Sequence, residues 1–558
     1  MNILLIVLSC IAALFVFLYI VFWIKSITPS PIFKPTEYEP VVPDYWPTKG
    51  FRNSTAEEQG MSSAKLLRVH TFYQKAHKKN PNVSIDSIAV YRNGYLVADY
   101  YFNPLFPRDT MHIIHSVTKS IMSSLVGIAI DKGYIESVDV PFIDFFKDKH
   151  ISITDEGMRK VTLKDLLSMQ TGIRSRDSVM YQWEGLFAMQ ETDDWVSFIM
   201  SLPIDVEPGI RFDYSNMSSF LLSAIIQETT GKDTLTFGRE NLFNRIGIGQ
   251  VRWEWSPQGY GIGYARMWMK PEDMAKFGLL YLQKGYWDGK QIVPTEWVKE
   301  SITPNAFPKN VVDMLDASGN KDKKLTTSNW RAANFFRSFA DGYGYQWWLD
   351  KDGSYSAVGV GGQYIMVVPK KNLMVVVTNS SSRLGVFFPR KILDKYILPA
   401  IVSNKAVAQN KPAYNELIDR SGPPELITIP NPTPILPETA MEISGKTYSL
   451  EKNNFKYDNF QLIFDPSQNH ALFSYVAKEE ESASFQIGLD GVYRFSDTNI
   501  GQFAAYGSWI SQNTFDFTFI QIGYSTETKF ILTFEGNSIT VEEFGVVGEA
   551  KYSGKAKE

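Results

Sequence analysis

The stretch Ser116-Val117-Thr118-Lys119, followed by the apolar run Ile121-Met122-Ser123-Ser124-Leu125-Val126-Gly127-Ile128-Ala129-Ile130, decides the fold and the chemistry predicted for this chain. The run is typical of a buried helix, and Lys132-Gly133 ends it as a helix C-terminus does. Residues three apart share one face of a helix, so Lys119 is presented next to the Ser116 hydroxyl. Ser-x-x-Lys also occurs at Ser62, Ser318 and Ser449, but only Ser116 opens a long apolar helix.

A lysine one turn above a serine suits nucleophilic catalysis. A hydroxyl is a poor nucleophile near neutral pH, and a lysine becomes its base only where burial lowers the lysine pKa from about 10.4. A helix N-terminus adds unpaired N–H groups and a partial positive charge, which favour an oxyanion. The alternative is an ordinary helix N-cap at Ser116, with Lys119 in solvent. The apolar setting that would bury Lys119 consists of Ile113, Ile114, Val117, Ile121 and Met122.

A second motif, Tyr214-Ser215-Asn216, favours the catalytic interpretation. It follows the turn Glu207-Pro208-Gly209 and precedes an apolar run, so we expect it on a loop that leads into a buried helix. A phenol there can pass the Ser116 proton to a leaving group, and Asn216 can hydrogen-bond the substrate or Lys119. The alternative is a loop tyrosine packed on the core. The similar Tyr91-Arg92-Asn93 is assigned to a hairpin, because Asn93-Gly94 separates two β-rich runs.

Together the two motifs resemble those of β-lactamases and penicillin-binding proteins, and the Tyr-Ser-Asn form resembles the class C branch. Within that superfamily the chain is most similar to esterase-like and 6-aminohexanoate-dimer-hydrolase-like serine hydrolases. The resemblance implies an α+β fold: an antiparallel sheet covered by helices on both faces, with a helical insert, in which hairpin 85–102 and strands 355–379 are neighbours. The supporting segments follow the family's order at residues 57–61, 91–94, 166–172, 342–348 and 361–363.

The third motif departs from the family pattern, because no Lys-Thr-Gly occurs on the predicted strand 355–363. In β-lactamases and peptidoglycan enzymes that lysine recognises a substrate carboxylate, so its absence disfavours those activities. A glycine-rich strand still permits close approach of the backbone and a second oxyanion N–H. By resemblance to the dimer hydrolases the donor is Val360, or Gly359 if the alignment shifts by one. The alternative is a strand packed closely against a helix.

Further candidates lie near these motifs. The dimer hydrolases place a substrate-contacting tyrosine on the loop after Thr171-Gly172, so the resemblance implies this role for Tyr181, with an exposed loop residue as the alternative. His112 and His115 flank the nucleophile and either line the pocket or hydrogen-bond locally. No G-x-S-x-G or H-E-x-x-H is present, and the six histidines do not cluster at metal-ligand spacing. We therefore predict neither a metal nor an organic cofactor.

Composition and the N-terminus bear on location. A chain of 558 residues is too long for a single hydrophobic core. Its composition, with 44% hydrophobic and 21% charged residues, indicates a globular protein. The net charge of −4 and the lack of a basic block predict no nucleic-acid binding. The uncharged stretch Ile3 to Ile24 is about long enough to span a bilayer, so we expect a single-pass membrane anchor. Resemblance to cell-envelope enzymes implies an extracytoplasmic catalytic domain, periplasmic or on the cell surface.

The chain is predicted to divide at two proline-rich segments. Beyond the second, turns at Asp490-Gly491 and Glu535-Gly536-Asn537 separate short strands, and Phe515, Phe517 and Phe519 alternate on one strand face. This pattern predicts a small β-barrel or sandwich, similar to the lipocalin-like appendages of some related hydrolases. The predicted limits are 1–26 for the anchor, 27–50 for a linker, 51–402 for the hydrolase domain, 403–440 for a second linker and 441–556 for the all-β domain.

The sequence thus predicts a membrane-anchored serine hydrolase that cleaves a small-molecule amide or ester through an acyl-enzyme. Ser116 is the nucleophile, Lys119 and Tyr214 are the acid and base, and the N–H groups of Ser116 and Val360 form the oxyanion hole. The alternatives are a penicillin-binding or β-lactamase activity and a catalytically inactive, membrane-tethered binding protein. The oligomeric state and the role of the all-β domain stay open.

Overall fold

A computed structural model describes residues 37–79, 85–149, 151–178, 181, 183–308, 341–379, 388–422, 435–453, 457–477, 482–524, 527–545 and 548–557. Its N-terminal part contains a seven-stranded sheet and, among the described residues, two small sheets of three and two short strands. The strands before residue 380 are β1 Ser87–Arg92, β2 Tyr95–Tyr101, β3 His112–Ile113, β4 Arg252–Trp253, β5 Met267–Met269, β6 Tyr286–Trp287, β7 Lys290–Gln291, β8 Gly342–Tyr343, β9 Trp348–Leu349, β10 Tyr355–Gly359, β11 Gln363–Val368 and β12 Leu373–Thr378.

The main sheet has the order β2-β1-β12-β11-β10-β9-β8, and each neighbouring pair is antiparallel. Asn93 and Gly94 both have positive φ, 52° and 83°, as a tight turn between β1 and β2 requires. The hairpin assigned to Tyr91-Arg92-Asn93 is therefore confirmed, and β1 pairs directly with β12 as expected.

Helices cover both faces of this sheet, because its central strands are apolar on both faces. On β12, Met374 and Val376 belong to one core cluster, whereas Val375 and Val377 belong to the other. The α-helices are α1 Ser63–Lys79, α2 Val117–Asp131, α3 Leu163–Ser168, α4 Glu184–Gln190, α5 Trp195–Met200, α6 Asn216–Thr230, α7 Thr234–Gly238, α8 Pro271–Leu282, α9 Thr295–Ser301, α10 Phe388–Ile392, α11 Lys411–Ser421 and α12 Glu438–Ile443.

Helix α2 is the buried helix predicted after Ser116, and it packs on strand β10. Gly127 permits a close contact with α9, since an added Cβ at Gly127 would lie 2.3 Å from the Trp297 ring. Helix α6 packs against α2 and begins at Ser215, whose side chain accepts a hydrogen bond from the Ser218 N–H. The two motif-bearing segments therefore meet between the sheet and the helical insert.

The C-terminal strands form a closed barrel. Their order is β16-β15-β14-β13-β22-β21-β20-β19-β18-β17, and Gly488 of β16 pairs with Tyr506 of β18 to close the ring. Phenylalanines fill the interior, and Phe515, Phe517 and Phe519 are buried as their alternation predicts. The strands are β13 Thr447–Leu450, β14 Tyr457–Phe464, β15 His470–Ala477, β16 Ser482–Gly488, β17 Arg494–Thr498, β18 Gly501–Trp509, β19 Thr514–Gln521, β20 Glu527–Glu535, β21 Ser538–Gly545 and β22 Gly548–Ala556.

The fold class is therefore confirmed, with a barrel rather than a sandwich at the C-terminus. The domain limits stay a prediction. Within the segment predicted as the second linker, α11 packs against α1 and β2, and its Leu417 is fully buried.

The expected single-pass membrane location, with the catalytic domain on the extracytoplasmic side, is contradicted. Within the described ranges no helix is long and apolar enough to cross a membrane. The strongly apolar helices α2 and α6 have 15 residues each, whereas a span needs about 20, and both are buried in the core. The stretch Ile3 to Ile24, on which that prediction rested, lies outside the described residues.

Candidate active site

Ser116 lies immediately before α2, with φ −69° and ψ −4°, and its side chain makes no capping hydrogen bond. The hydroxyl is therefore not used as an ordinary N-cap. Instead, Lys119 Nζ lies 3.1 Å from Ser116 Oγ, and the Tyr214 hydroxyl also hydrogen-bonds Ser116. Ser116 is half-buried, whereas the neighbouring Lys119 is buried.

Lys119 is almost completely buried, with 1% of its surface exposed. Besides Ser116 Oγ, its Nζ lies 2.8 Å from Asn216 Oδ1 and 2.9 Å from the main-chain oxygen of Tyr264. Burial lowers the pKa of Lys119 from 10.5 to about 7, and the nearby Asp177 carboxylate opposes that shift. At neutral pH a large fraction of Lys119 therefore has a free lone pair.

The geometry directs this lone pair toward Ser116. The amide oxygen of Asn216 and the carbonyl of Tyr264 can only accept hydrogen bonds, so they use the two N–H groups of a neutral lysine. The remaining position on Nζ then faces the Ser116 hydroxyl. Lys119 is thus arranged to accept the Ser116 proton once the amine is neutral.

Tyr214 packs against two aromatic rings. Its ring stacks on Trp348 at 5.5 Å and meets Tyr343 edge-on at 6.3 Å. Lys119 Nζ lies 5.0 Å from the centre of the Tyr214 ring. Burial raises the pKa of Tyr214, although the hydrogen bond with Ser116 opposes the rise. The phenol therefore keeps its proton at neutral pH and is a donor rather than a base.

Asp177 was not predicted from the sequence, yet it orients two members of the Tyr-Ser-Asn motif. Its carboxylate accepts hydrogen bonds from the Met217 N–H at 2.6 Å and from the Ser215 hydroxyl at 3.1 Å. Its main-chain oxygen accepts a bond from Asn216 Nδ2 at 2.8 Å, which turns the amide oxygen of Asn216 toward Lys119. Burial raises the pKa of Asp177, while these donors and Lys119 oppose the rise.

Gly359 ends β10 beside the segment that leads to Ser116. An added Cβ at Gly359 would lie 2.4 Å from the Ile114 carbonyl oxygen and 3.2 Å from His115 Cβ, so only glycine fits there without displacement. Val360 follows directly and is half-buried. The chain then turns through Gly361 and Gly362, both with positive φ, and returns as β11.

His115 lies next to the nucleophile in a left-handed conformation, with φ 45°. Burial, together with the positive charges of Arg266 and Lys119, lowers the pKa of His115 to about 3, so the imidazole is neutral. His112 is a buried structural residue. Its Nε2 lies 3.5 Å from Asp86 Oδ2, and its Nδ1 lies 3.1 Å from the Thr110 carbonyl.

Tyr181 lies on the loop before α4 and is partly buried. Asp213, Arg211 and Asp205 lie close enough to affect its phenol, and burial raises the pKa of Tyr181. Since Asp213 directly precedes Tyr214, Tyr181 lies beside the motif loop. Burial also raises the pKa of Asp213, to about 7, with Asp177 as a second cause.

The structure brings Ser116, Tyr214 and Asn216 around the Lys119 amine, with Gly359 at the end of the neighbouring strand, Val360 directly after it and Tyr181 on the adjoining loop. Sequence reasoning missed Asp177 and the Tyr264 carbonyl. Asp177 follows Thr171-Gly172 with no local pattern to single it out, and a main-chain oxygen has no sequence signature. Across the described ranges, no cluster of acidic, histidine or cysteine side chains forms a metal site.

Comparison with known proteins identifies relatives of this chain. The family model described as "Beta-lactamase" matches residues 75–393. The 6-aminohexanoate-dimer hydrolase of Paenarthrobacter ureafaciens is 22% identical over 310 residues, which are 53% of this chain and 72% of that protein. The N-acetylmuramyl-L-alanine amidase of Bacillus subtilis is 26% identical over 107 residues, 19% of this chain and 24% of that protein.

Among solved structures, the octameric penicillin-binding protein homologue from Pyrococcus abyssi is 15% identical, with a TM-score of 0.44. The match covers 88% of this chain and 99% of that one. The family model spans more than half of the chain and includes Ser116, Lys119, Tyr214 and Val360. The chain therefore belongs to the β-lactamase family, whose members are generally serine hydrolases.

Proposed function

We propose that this chain hydrolyses an ester or amide bond of a small molecule through an acyl-enzyme on Ser116. The observation that supports this most directly is the buried amine of Lys119, 3.1 Å from Ser116 Oγ, with its pKa lowered to about 7. A solvated lysine would be protonated at neutral pH, whereas this one has a substantial fraction as free base.

In the proposed acylation, Lys119 Nζ takes the Ser116 proton while Oγ attacks the substrate carbonyl carbon. The carbonyl oxygen becomes an oxyanion next to the N–H groups of Ser116 and Val360. When the tetrahedral intermediate collapses, the bond to the leaving amine or alcohol breaks and Tyr214 gives its proton to that group. Lys119 then returns a proton to Tyr214, because the phenol has the higher pKa of the two.

Deacylation repeats these steps with water as the nucleophile. Lys119 takes the proton of the attacking water, the ester bond to Ser116 breaks, and Tyr214 gives its proton to Oγ. Lys119 then returns a proton to Tyr214. The same two N–H groups stabilise the second oxyanion. Loss of one such donor typically lowers the rate by about 10²–10³-fold. This mechanism uses side chains and main-chain groups of this chain alone.

The substrate is proposed to be a linear ester or amide rather than a β-lactam. The Gly-rich turn after β10 has no Lys-Thr-Gly, so the cation that recognises a carboxylate in the β-lactam enzymes is missing from this strand. A relative that hydrolyses the 6-aminohexanoate dimer, an amide, favours inclusion of linear amides among the test substrates. We propose Tyr181 as a substrate contact at the rim, because it lies beside the loop that ends in Tyr214.

Mass spectrometry of the intact full-length protein tests the nucleophile. A fluorophosphonate should add one phosphonyl group to the wild type and none to Ser116→Ala. Ser449→Ala is the matched control: Ser449 also begins a Ser-x-x-Lys, but its hydroxyl hydrogen-bonds Asn459 on the barrel surface. We expect Ser449→Ala to be labelled as fast as the wild type.

A parallel incubation with a penicillin separates the alternatives. Stable penicilloyl adducts on Ser116 would move the assignment to penicillin-binding or β-lactamase chemistry. A folded wild type that takes up neither reagent would contradict the activated serine and favour an inactive binding protein. Labelling by the fluorophosphonate alone supports the proposal and directs kinetic work to ester and linear-amide panels.

A further inference from the structure

The barrel touches the segment that leads into Ser116. Strand β3, only two residues long, pairs along one edge with β5, and the Ile114 N–H donates to the Met267 carbonyl at 2.8 Å. The Ile113 N–H points to the opposite edge, where it donates to the Gly523 carbonyl at 2.6 Å. Gly523 belongs to the turn that follows β19 of the barrel. We call residues 521–524 the docking turn.

The docking turn fits closely against the catalytic part of the chain. Gly523 has φ 89°, and an added Cβ would lie 2.8 Å from the Met111 carbonyl oxygen. Both the left-handed backbone and the close approach therefore require glycine. Ile113 is buried, with 1% exposure, so its N–H has no access to water in place of the Gly523 carbonyl.

Tyr524, the next residue of the docking turn, contacts β5 and the segment between β4 and β5. Its ring meets Trp268 edge-on at 5.0 Å, and its hydroxyl hydrogen-bonds Glu254 Oε1 at 3.1 Å. Glu254 Oε2 lies 3.6 Å from Arg266 Nη1. Arg266 stands two residues after Tyr264, whose carbonyl binds Lys119, and its charge acts on His115. Through Glu254 and Arg266, the contacts of Tyr524 therefore lead to Tyr264, whose carbonyl binds Lys119, and to His115, which directly precedes Ser116.

A separate apolar contact supports the same docking. Leu105 and Phe106 form one buried cluster with Ala504 and Ile520 of the barrel. The Phe106 ring stacks on His112 of β3 at 4.8 Å. The barrel thus contacts the strand before Ser116 in two ways. It accepts a hydrogen bond from the main chain of Ile113, and it packs against Phe106, whose ring stacks on His112.

We infer that the docking turn is a positioning element for the nucleophile, so that the barrel completes the catalytic unit rather than forming an independent module. Ser116 is the third residue after β3, and the carbonyl that orients Lys119 lies two residues before Arg266. A shift of either segment changes the Oγ to Nζ distance, and displacements near 1 Å cost about 10²-fold in rate. This inference rests on the proposed function, since it assigns the turn a role in activating Ser116.

The test uses full-length variants of two barrel glycines. Gly523→Ala, at a φ of 89°, places a methyl group against the Met111 carbonyl, whereas Gly536, at the turn between β20 and β21, also has a positive φ, 59°, but open space around an added Cβ. We expect Gly523→Ala to slow fluorophosphonate labelling of Ser116 about tenfold or more. Gly536→Ala should match the wild type. Tyr524→Phe, which removes only the hydroxyl, should lower kcat a few-fold and leave KM unchanged.

Hydrogen exchange gives a second readout that does not depend on activity. The amide of Ile113 should be protected in the wild type and in Gly536→Ala, and should exchange faster in Gly523→Ala. Equal labelling rates for the two folded glycine variants, with Ile113 exposed only in Gly523→Ala, would overturn the positioning role. Unchanged protection of Ile113 in Gly523→Ala would overturn the docking itself. A wild type that is not labelled would instead contradict the proposed function.

Discussion

Two buried ionisable groups, Lys119 beside Ser116 and Glu543 inside the barrel, show one physical effect with different consequences. They are 1% and 0% exposed. Burial lowers the pKa of Lys119 to about 7 and raises the pKa of Glu543 to about 8, because a low-dielectric interior disfavours either charge. At neutral pH each site therefore contains a large neutral fraction.

The surroundings of the two groups differ. Three oxygens surround Lys119 Nζ, and one of them is the half-buried Ser116 hydroxyl. Glu543 Oε2 accepts a bond from the Tyr552 hydroxyl at 3.0 Å, while Oε1 has no hydrogen-bond partner in the described part of the chain. A shifted pKa thus reports burial. A nucleophile within reach and an open side distinguish the catalytic group from the structural one.

Replacement of Lys119 by methionine should have the largest effect on activity. Methionine fills the volume of the lysine stem but cannot take the Ser116 proton, and general-base catalysis typically contributes about 10²–10⁴-fold. We expect the kcat for ester hydrolysis to fall by about 10³-fold. The melting temperature should not fall, since an amine that is costly to bury has been removed. Steady-state kinetics and calorimetry on the full-length protein measure both quantities.

Lys65→Met is the matched control for Lys119→Met. Lys65 stands three residues after Ser62 in another Ser-x-x-Lys, but its Nζ is exposed and donates to the Pro399 carbonyl. This variant should keep wild-type kinetics. A Lys119→Met protein with more than a tenth of the wild-type kcat would show that Ser116 does not depend on this base.

Asp177→Asn should have the next largest effect and should change the pH dependence of activity. The Met217 N–H and the Ser215 hydroxyl donate to one oxygen of Asp177 and the Ser175 hydroxyl donates to the other, so an amide at position 177 turns its Nδ2 toward the Ser175 hydroxyl and weakens all of these charge-assisted bonds, at a cost of about 1–3 kcal/mol. We expect kcat/KM to fall about tenfold. Because Asp177 favours the charged form of Lys119, its loss lowers the lysine pKa further. The rise of kcat/KM with pH, near pH 7 in the wild type, should move to lower pH.

Asp205→Asn is the control for the charge change alone. Asp205 pairs with Arg174 and Arg211 at a more exposed position nearby. We expect Asp205→Asn to leave the pH midpoint of kcat/KM unchanged. An Asp177→Asn profile that keeps the wild-type midpoint would contradict an electrostatic role for Asp177 at Lys119, whatever the loss of rate.

The sequence predicted the parts of this site that depend on local pattern. Helix α2, the loop at Tyr214 and the turn at Asn93 follow from apolar periodicity and from short turn residues. The family resemblance predicted an antiparallel sheet in which hairpin 85–102 and strands 355–379 are neighbours. A small β-barrel or sandwich was predicted from strand alternation at Phe515, Phe517 and Phe519, and the structure shows a barrel. Each of these features is determined mainly by neighbours along the chain.

Contacts between distant segments were not predictable in this way. The folding of a loop brings Asp177 to the Tyr-Ser-Asn motif. Tyr264 binds Lys119 through its main-chain carbonyl, a group that every residue has. The bond from Ile113 to Gly523 joins residues of two separate β structures. The prediction of a membrane location was wrong. It rested on the length of one apolar stretch, and no predicted contact with another part of the chain supported it.

Glu543→Gln should have the smallest effect on activity and a clear effect on stability. The pKa of Glu543 in the folded chain, about 8, exceeds its ordinary value of 4.5, so the folded state binds more protons between those pH values. The stability from this group is fully present below pH 4.5 and is lost as pH rises through about 8, by a few kcal/mol in all. Glutamine does not ionise, so the variant should lack this decline.

Chemical denaturation of the full-length protein at pH 5, 7 and 9, followed by near-UV circular dichroism, measures the difference. The control is Glu542→Gln, one residue earlier on β21, where the side chain is exposed and its Oε1 lies 2.8 Å from Lys551 Nζ. Relative to Glu543→Gln, we expect the wild type and Glu542→Gln to lose stability in parallel from pH 5 to pH 9, with most of the loss complete by about pH 8. Parallel curves for all three proteins would show that Glu543 stays ionised in the barrel, and the contrast with Lys119 would then fail.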